Sequence, residues 1–313
     1  MAPCSSTIAA SRPAGCRHWS ERPALGNSTS IASPDEPDPP RRRPSTTMKP
    51  GFDEEGTLSA DAGHRTSACS GPLDTDTLWR MLTEAARAAV NRDPLLSALY
   101  RHILLEVPDF ASALARVIAD TLTTPQLPER AARERVEALL DRHPAIAAAA
   151  ERDLVALLRE DAAIPEPFTP LLFFPGYQAV QCHRIAHQWW LDGVTDLASH
   201  LQYRAAVRFS ADIHPAAALG AGLFVDHGAG IVIGETAVVE DDVTIFHGVT
   251  LGSSGKVRGD RHPKVRRGAF LGAGATILGN IEIGEDARIG AAAVVTRSVA
   301  AGATVIGPAA RPR

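Results

Sequence analysis

The feature that most constrains the fold of this chain is an aliphatic residue that returns at every sixth position between residues 212 and 300. The repeated positions are Ile213, Leu219, Val225, Ile231, Ala237, Val243 and Val249, and after a break Val265, Leu271, Ile277, Ile283, Ile289 and Val295. All 13 positions are apolar, whereas a hydrophobic content of 45% would make only about six of them apolar by chance.

A six-residue period excludes an α-helix and a simple alternating strand, because those structures repeat at about 3.6 and 2 residues. It fits a parallel β-helix whose coils of about 18 residues have three flat faces. Glycine and alanine lie between many of the repeated positions, where the corners of such a coil turn tightly. Ordinary short strands would not keep one register over this length. The sequence therefore predicts a parallel β-helix over residues 211–308.

Apolar residues upstream of the repeats recur at helical spacing, beginning near Thr75. They predict helices over about 75–93, 95–103, 110–122, 131–140, 144–159, 176–191 and 194–209, separated mainly by prolines. The predicted fold class is therefore α+β. An N-terminal all-α helical domain at 74–210 precedes the β-helix at 211–308, and a short tail follows at 309–313.

Residues 1–73 are rich in Ser, Pro, Thr and Arg and contain few large apolar residues. Three interpretations are open. Residues 1–47 could form an organelle-targeting segment, since Glu21 is the only acidic residue before Asp35. Translation could instead start at Met48, or residues 1–73 could be a disordered tail.

The overall composition argues against a nucleic-acid-binding protein and against a membrane-spanning protein. The net charge is −4 and aromatic residues make up 5% of the chain, which disfavours nucleic-acid binding. No apolar run is long enough for a membrane span. Cys4, Cys16, Cys69 and Cys182 lack metal-ligand or disulfide-framework spacing. These features favour a reducing compartment, and a cytoplasmic location is expected.

The repeat register breaks between Val249 and Val265, which lie sixteen positions apart instead of six. Ten extra residues are therefore expected to leave the β-helix as a loop at 253–263. Basic residues cluster around it: Lys256, Arg258, Arg261, Lys264, Arg266 and Arg267. Arginine suits carboxylates and phosphates, so the loop predicts an anion-binding site, with a solvated surface loop as the alternative.

Asp212 and His227 are the candidate catalytic pair. They lie fifteen positions apart, three short of one coil, so they are expected on adjacent coils near one corner. A carboxylate that orients an imidazole makes a general base. His247 is expected to line the site from a β-helix face, and His214 to be structural.

A second histidine pair lies in the predicted helical domain. His183 and His187 are four positions apart on one helix face, but the sequence shows no third metal ligand. A role in packing or polar contacts is therefore expected for both.

Five segments together resemble the serine O-acetyltransferases, a family of hexapeptide-repeat acyltransferases. They are Asp212-Ile213-His214-Pro215-Ala216-Ala217, Asp226-His227, Gly234-Glu235-Thr236-Ala237-Val238, Val249-Thr250-Leu251-Gly252 and Gly259-Asp260-Arg261-His262-Pro263-Lys264. The resemblance extends from residue 75 to about 308. It implies a left-handed β-helix and transfer of an acetyl group from acetyl-CoA to the hydroxyl of L-serine, without a metal.

The resemblance also implies residue roles. His227 matches the general base and Asp212 its carboxylate partner. Asp226 matches a residue that holds the serine substrate, and Arg261 and His262 match the pair that contacts its carboxylate.

Further roles follow from the same resemblance. Asp161 matches an acidic residue that receives the serine amino group, although Ala162 replaces the usual proline after it. Ser253, Ala273 and Ala291 match positions along the acetyl-CoA groove.

The resemblance further implies partners. L-cysteine is expected to be a feedback inhibitor, and the β-helices are expected to form a homotrimer or a dimer of trimers. Family members often end in an isoleucine that inserts into O-acetylserine sulfhydrylase. This sequence ends in Arg313 instead, which puts that complex in doubt.

Three other functions are open to a chain with these features. The same scaffold could acetylate a sugar or another small alcohol. A zinc-dependent carbonic anhydrase would need three histidine ligands that meet at a subunit interface, but His227, His247 and His262 lack the expected His-x-x-x-x-His spacing. The chain could also be a non-catalytic β-helical scaffold.

Overall fold

A computed structural model describes residues 74–92, 94–255 and 258–308. The predictions for residues 1–73, for Lys256 and Val257 of the loop, and for the tail at 309–313 lie outside the described residues. Within these ranges, the helices and strands belong to one compact unit. The division into a helical domain and a β-helix domain stays a prediction. None of the described helices is long and apolar enough to cross a membrane.

The N-terminal half of the described chain is helical. Its helices are α1 (Thr75–Arg92), α2 (Ser97–Tyr100), α3 (Phe110–Leu122), α4 (Glu129–Arg142), α5 (Ala145–Glu160), α6 (Thr169–Phe173), α7 (Pro175–Leu191) and α8 (Thr195–Phe209). A π-helical turn at Arg101–Leu105 follows α2 directly, so the helix predicted over 95–103 is two shorter elements.

Helix α6 was missed because prolines surround it in the sequence. Prolines were predicted to separate the helices, yet Pro170 lies in the first turn of α6. Proline is tolerated there, since a first-turn N–H has no partner within the helix.

The C-terminal half consists of short parallel strands. They are β1 (Asp212–Ile213), β2 (Ala218–Leu219), β3 (Phe224–Val225), β4 (Val232–Ile233), β5 (Val238–Val239), β6 (Thr244–Ile245), β7 (Thr250–Gly252), β8 (Lys264–Val265), β9 (Phe270–Leu271), β10 (Thr276–Leu278), β11 (Glu282–Ile283), β12 (Arg288–Ile289), β13 (Val294–Val295) and β14 (Thr304–Val305).

These strands stack into three parallel sheets, one for each face of the coil. Their strand orders are β1-β4-β7-β10-β13, β2-β5-β8-β11 and β3-β6-β9-β12-β14. Each strand pairs with the strand three places further along the chain, as a three-sided coil requires. The exception is the last coil, where β12 pairs with β14. The predicted fold class, a helical region followed by a left-handed parallel β-helix of six-residue repeats, is confirmed.

The predicted register is wrong in the first half of the β-helix. Asp212 pairs with Val232, an offset of twenty positions where a regular coil has eighteen. The inward residue of β4 is therefore Ile233, eight positions after Val225, and not Ile231. The cause is a two-residue insertion in the turn between β3 and β4.

The displaced repeat residues are nevertheless buried, because each face contributes two inward positions. One is the second residue of the strand, and the other lies two residues earlier. The earlier position is filled by Ile231, Ala237, Val243 and Val249, and the strand position by Ile233, Val239, Ile245 and Leu251. A two-residue slip therefore exchanges one buried apolar set for another, which is why the pattern concealed it.

The helices join the first coil through a buried ion pair. The carboxylate of Asp153 on α5 accepts hydrogen bonds from Gln181 and Arg184 on α7, with Arg184 Nη2 to Asp153 Oδ2 at 2.7 Å. Its other oxygen accepts the backbone N–H of Leu223 at 2.9 Å. Arg184 also donates to the carbonyl of Gly220 at 2.6 Å. Both side chains are almost completely buried, so the first coil is fixed to α5 and α7.

The two histidines of α7 also contact the first coil. A ring nitrogen of His183 lies 3.1 Å from the carbonyl oxygen of Ala217, and His187 Nδ1 lies 2.7 Å from that of Pro215. These contacts confirm the predicted polar role. Burial holds the pKa of His183 well below its usual range, so this ring is neutral.

Candidate active site

The turn between β3 and β4 carries Asp226 and His227. The backbone N–H of Asp226 still pairs with the carbonyl of the next coil, and the pairing resumes at Ala229, whose carbonyl accepts from Gly248. His227 and Gly228 are therefore the two inserted residues. They have φ angles of 57° and 79°, in the left-handed region. A left-handed histidine is uncommon, and bulges of this kind often redirect side chains at active sites.

The insertion directs the imidazole of His227 away from the β-helix. Its side chain is 74% exposed, and its Nε2 lies 3.7 Å from Oδ1 of Asp226. The ring of His247, on the next coil, packs edge-on at 5.8 Å between ring centroids. His247 follows β6 at a corner, so the prediction that it lies on a flat face is wrong. The site therefore has an accessible base candidate with one carboxylate close by.

Helix α7 packs directly behind this turn. A Cβ added to Gly228 would lie 2.4 Å from the Cα of Gly176, in the first turn of the helix. One added to Gly176 would lie 2.7 Å from the carbonyl oxygen of Val225. The glycine at 176 thus allows the helix backbone to approach and support the turn that carries His227.

Asp212 lies on the outer face of β1, and its Oδ1 accepts a hydrogen bond of 2.7 Å from the amide of Gln202 on α8. Strand β1 pairs with β4, which follows the His227 turn. The two residues of the predicted dyad therefore belong to neighbouring chain segments, but the carboxylate recorded within 4 Å of His227 is that of Asp226. The role of Asp212 stays a prediction.

The loop leaves after β7 and returns at β8. Leu251 and Val265 lie fourteen positions apart, so the insertion has eight extra residues instead of the ten predicted. At its returning end, Arg261 donates to Glu235 at 2.6 Å and to the carbonyl of Gly259 at 3.1 Å. The hydrogen bond from Arg261 holds the pKa of Glu235 below its ordinary value.

His262 is nearly buried, at 6% exposure, and its ring is held on both sides. Nδ1 accepts the backbone N–H of Thr236 at 3.1 Å and lies 2.8 Å from the hydroxyl of the same residue. On the other side the ring covers Gly234, where an added Cβ would lie 2.1 Å from Nε2. Burial, assisted by the charge of Arg261, lowers the pKa of His262. The ring is therefore neutral near pH 7.

Asp161 ends α5, and its Oδ1 accepts the backbone N–H of Ala163 at 2.9 Å. Its recorded contacts are thus local, and within one chain they do not join it to His227, Arg261 or His262. The predicted role of Asp161 toward the serine amino group stays a prediction.

The predicted acetyl-CoA positions Ala273 and Ala291 lie at one corner of successive coils, in the same column as His247. The backbone shows this stacking, since Gly274 donates to the carbonyl of His247 and Ala292 to that of Ala273. An added Cβ at Gly272, just before Ala273, would lie 2.7 Å from the nitrogen of Ala291. On the coils that follow His247, this corner is therefore lined mainly by backbone atoms. Ser253 begins the loop, and its hydroxyl accepts from Gly255 at 3.3 Å.

Among the described residues, no group of three or more His, Cys, Asp or Glu side chains is arranged to hold a metal ion. The carbonic anhydrase alternative places its three histidines at a subunit interface, so it stays a prediction.

The stacked coils, each built from three six-residue repeats, have the architecture of a hexapeptide-repeat transferase. Residues 262–297 match the family model of the bacterial transferase hexapeptide with six repeats. Residues 78–182 match the model of the serine acetyltransferase N-terminal region. A serine acetyltransferase of Salmonella typhimurium is 44% identical over 238 residues, which cover 76% of this chain and 87% of the relative. The chain belongs to the serine acetyltransferase family.

Solved structures of similar proteins agree. A serine acetyltransferase from Brucella abortus in complex with coenzyme A has a TM-score of 0.73 at 42% identity, covering 76% of this chain and 95% of that one. A serine acetyltransferase in complex with cysteine gives 0.73 at 41% identity, covering 76% and 99%. The soybean enzyme complexed with serine gives 0.73 at 38% identity, covering 77% and 99%.

Proposed function

We propose that this chain transfers the acetyl group of acetyl-CoA to the hydroxyl of L-serine, giving O-acetyl-L-serine and CoA. The observation that carries the proposal is the inserted His227, an exposed imidazole on a rigid β-helix with a carboxylate 3.7 Å away. Membership of the serine acetyltransferase family supports the choice of donor and acceptor.

In this proposal His227 acts as the general base. Its imidazole takes the proton of the serine hydroxyl while the oxygen attacks the thioester carbonyl. When the tetrahedral intermediate collapses, the imidazolium returns the proton to the sulfur of CoA. A neighbouring carboxylate stabilises the imidazolium in between, and Asp226 and Asp212 are the candidates. The bond that forms is the ester, the bond that breaks is the thioester, and no metal participates.

Recognition of the acceptor is assigned to groups of opposite charge. Serine carries a carboxylate and an ammonium group at neutral pH. We assign the carboxylate to Arg261 and His262 at the loop end, and the ammonium group to Asp226 and Asp161. Arg261 is held by Glu235 at 2.6 Å in the free chain, so its guanidinium is already oriented at the loop end.

The acetyl-CoA chain is assigned to the corner column that contains Ala273 and Ala291, with Ser253 at its edge. Small residues there leave the backbone accessible, which suits a long ligand that binds through peptide groups. Cysteine shares the ammonium and carboxylate groups of serine, so we propose that it competes at the same site as a feedback inhibitor.

The cytoplasmic location expected from the sequence stays a prediction. Cys182 is a buried free thiol, and burial raises its pKa to about 12. This thiol is therefore unreactive in both reducing and oxidising compartments, so it does not distinguish between them. The complex with O-acetylserine sulfhydrylase, which the C-terminal sequence puts in doubt, concerns residues 309–313, outside the described ranges.

We expect L-serine to be the acceptor in a panel that also contains D-serine, L-threonine and a galactoside. CoA release with acetyl-CoA is the measurement, repeated with added L-cysteine. Turnover with L-serine and its inhibition by L-cysteine are the expected results. Turnover with the galactoside but not with L-serine would instead identify a sugar acetyltransferase. Failure to bind acetyl-CoA in calorimetry would favour the scaffold alternative.

We also propose that the chain forms a homotrimer, alone or paired into a dimer of trimers, through the sheet β1-β4-β7-β10-β13. Its outer face carries Val232, Thr250, Thr276 and Val294, with Val232 41% and Val294 69% exposed. By contrast, the sheet that contains β8 and β11 presents charged Lys264 and Glu282. Apart from Asp212 on β1, the outward strand positions of this face are uncharged, and an exposed apolar face favours burial against another copy.

The trimer predicts a mass of about 99 kDa, three times the 33.1 kDa of one chain, or twice that for paired trimers. Val294→Glu should shift the sedimentation velocity toward a smaller species, because it buries a charge in the contact. The control is Glu285→Lys, an exposed residue at a corner outside this sheet. Unchanged sedimentation of Val294→Glu would place the contact elsewhere.

A further inference from the structure

We infer that Thr236 is a positioning residue: it fixes His262 in the tautomer that carries its hydrogen on Nε2, so that the ring donates a hydrogen bond to the substrate. Only the identity of that substrate group, the serine carboxylate, rests on the proposed function. The tautomer itself follows from the contacts of this chain and can be measured without any turnover.

The hydroxyl of Thr236 is an acceptor for two backbone groups of the loop. Its Oγ1 accepts the N–H of Arg261 at 3.0 Å and the N–H of His262 at 3.1 Å. A hydroxyl oxygen has two acceptor lone pairs and one hydrogen to donate. Since both lone pairs are used, Oγ1 has none left to accept a hydrogen from the imidazole, although Nδ1 lies only 2.8 Å away.

The backbone of Thr236 leads to the same conclusion independently. Its N–H points at Nδ1 of His262 at 3.1 Å. A backbone N–H can only donate, so Nδ1 must offer a lone pair. The hydroxyl hydrogen can go to Nδ1 or to the carboxylate of Asp260, whose pKa is lowered by Lys264 first and in part by Thr236. The tautomer is the same in both cases.

The charged surroundings keep the ring neutral as well. Burial is the largest single influence and disfavours a proton on His262; Arg261, Lys264 and His214 act in the same direction, and Glu235 opposes them. Protonation at Nδ1 would also set its N–H against the N–H of Thr236. A neutral ring with Nδ1 unprotonated must carry its hydrogen on Nε2.

The tautomer decides whether the ring attracts or repels an anion. Nε2 has no hydrogen-bond partner among the described residues, so its N–H is available to a ligand. The opposite tautomer would present a lone pair there and would repel a carboxylate. Thr236 therefore controls binding through His262 without touching the substrate itself, and its hydroxyl holds the backbone N–H of Arg261 at the same time.

The first test is the tautomer in the unmodified protein. Nitrogen NMR of ¹⁵N-imidazole-labelled protein at pH 7.5 should show a non-protonated Nδ1 and a protonated Nε2 for His262. The signal is assigned by its loss in His262→Gln. A protonated Nδ1 in this spectrum would overturn the inference, whatever the protein catalyses.

The second test compares Thr236→Val with Thr236→Ser. Valine keeps the shape and the backbone N–H but leaves two loop N–H groups without their acceptor, whereas serine keeps the hydroxyl. Without that acceptor we expect residues 261 and 262 to move, so that Nδ1 of His262 loses its contact with the backbone N–H of residue 236 and the other tautomer becomes populated. KM for L-serine should then rise about tenfold with a smaller change in kcat. Thr236→Ser should restore both values to within about twofold.

The outcomes separate this inference from the proposed function. Wild-type NMR signals and KM in a folded Thr236→Val protein would overturn the role of Thr236. If Thr236→Val does not fold, the comparison of Thr236→Ser with the unmodified protein and the wild-type spectrum still decide the tautomer. If L-serine is not acetylated, the proposed function fails, while the NMR result on His262 stands or falls alone.

Discussion

We expect His227→Asn to lower kcat for acetyl transfer to L-serine by about 10²–10⁴-fold, because it removes the proposed general base. Asparagine is the informative replacement. The residue has φ 57°, and asparagine adopts the left-handed region more readily than alanine does. The inserted turn therefore keeps its shape while the proton acceptor disappears. The measurement is CoA release at saturating acetyl-CoA and L-serine.

The matched control for this prediction is His247→Asn. His247 has its ring 5.8 Å from that of His227 and belongs to the next coil, so it tests the loss of a neighbouring imidazole. A drop confined to His227→Asn identifies the base. If His227→Asn retained near wild-type kcat while His247→Asn lost it, the base would be His247 and the proposed mechanism would be wrong.

The β-helix could be predicted from the sequence because each six-residue repeat forms one face of the three-sided coil. Helix α3 was predicted with its observed bounds, Phe110–Leu122, from apolar spacing alone. The register after Val225 was not predictable from the same pattern. Both Ile231 and Ile233 are aliphatic, so the hydrophobic signal is equally satisfied before and after the two-residue slip.

For the candidate site, the sequence indicates which residues to consider but not how the fold arranges them. His227 and the loop residues Arg261 and His262 were predicted as site residues from their motifs. That His227 is itself an inserted, left-handed residue has only one sequence signal, the spacing of eight positions from Val225 to Ile233. Thr236 lies in one of the five segments that resemble the family, but the segment indicates no role for it. Its importance arises from three hydrogen bonds that only the folded loop brings together.

The contact between Asp212 and Gln202 illustrates what spacing cannot provide. The sequence separation of Asp212 and His227 placed them on neighbouring segments, which the β1–β4 pairing agrees with. However, the partner of the Asp212 carboxylate comes from α8, a separate helix. Contacts made across elements depend on packing between them, and no periodicity within the repeats describes it.

The largest stability effect is expected at the buried pair between Asp153 and Arg184. Asp153→Ala should lower the free energy of unfolding by about 3–5 kcal/mol, because it leaves the guanidinium buried without its carboxylate. It also removes the acceptor for the backbone N–H of Leu223, which opens the first coil. Urea unfolding at one fixed protein concentration, followed by circular dichroism, measures the change. Glu134→Ala breaks an exposed pair with Arg130 and should leave the unfolding midpoint unchanged.

A double variant distinguishes the burial of an unpaired charge from the loss of a favourable contact. Asp153→Leu with Arg184→Leu removes both charges and should recover part of the stability lost by Asp153→Ala, since apolar side chains of similar size avoid the desolvation cost. Recovery remains partial because Leu223 and Gly220 still lose their partners. If the double variant were less stable than Asp153→Ala, the pair itself would be the stabilising element. In that case the ion pair between α5 and α7 would itself stabilise the first coil, which carries His227.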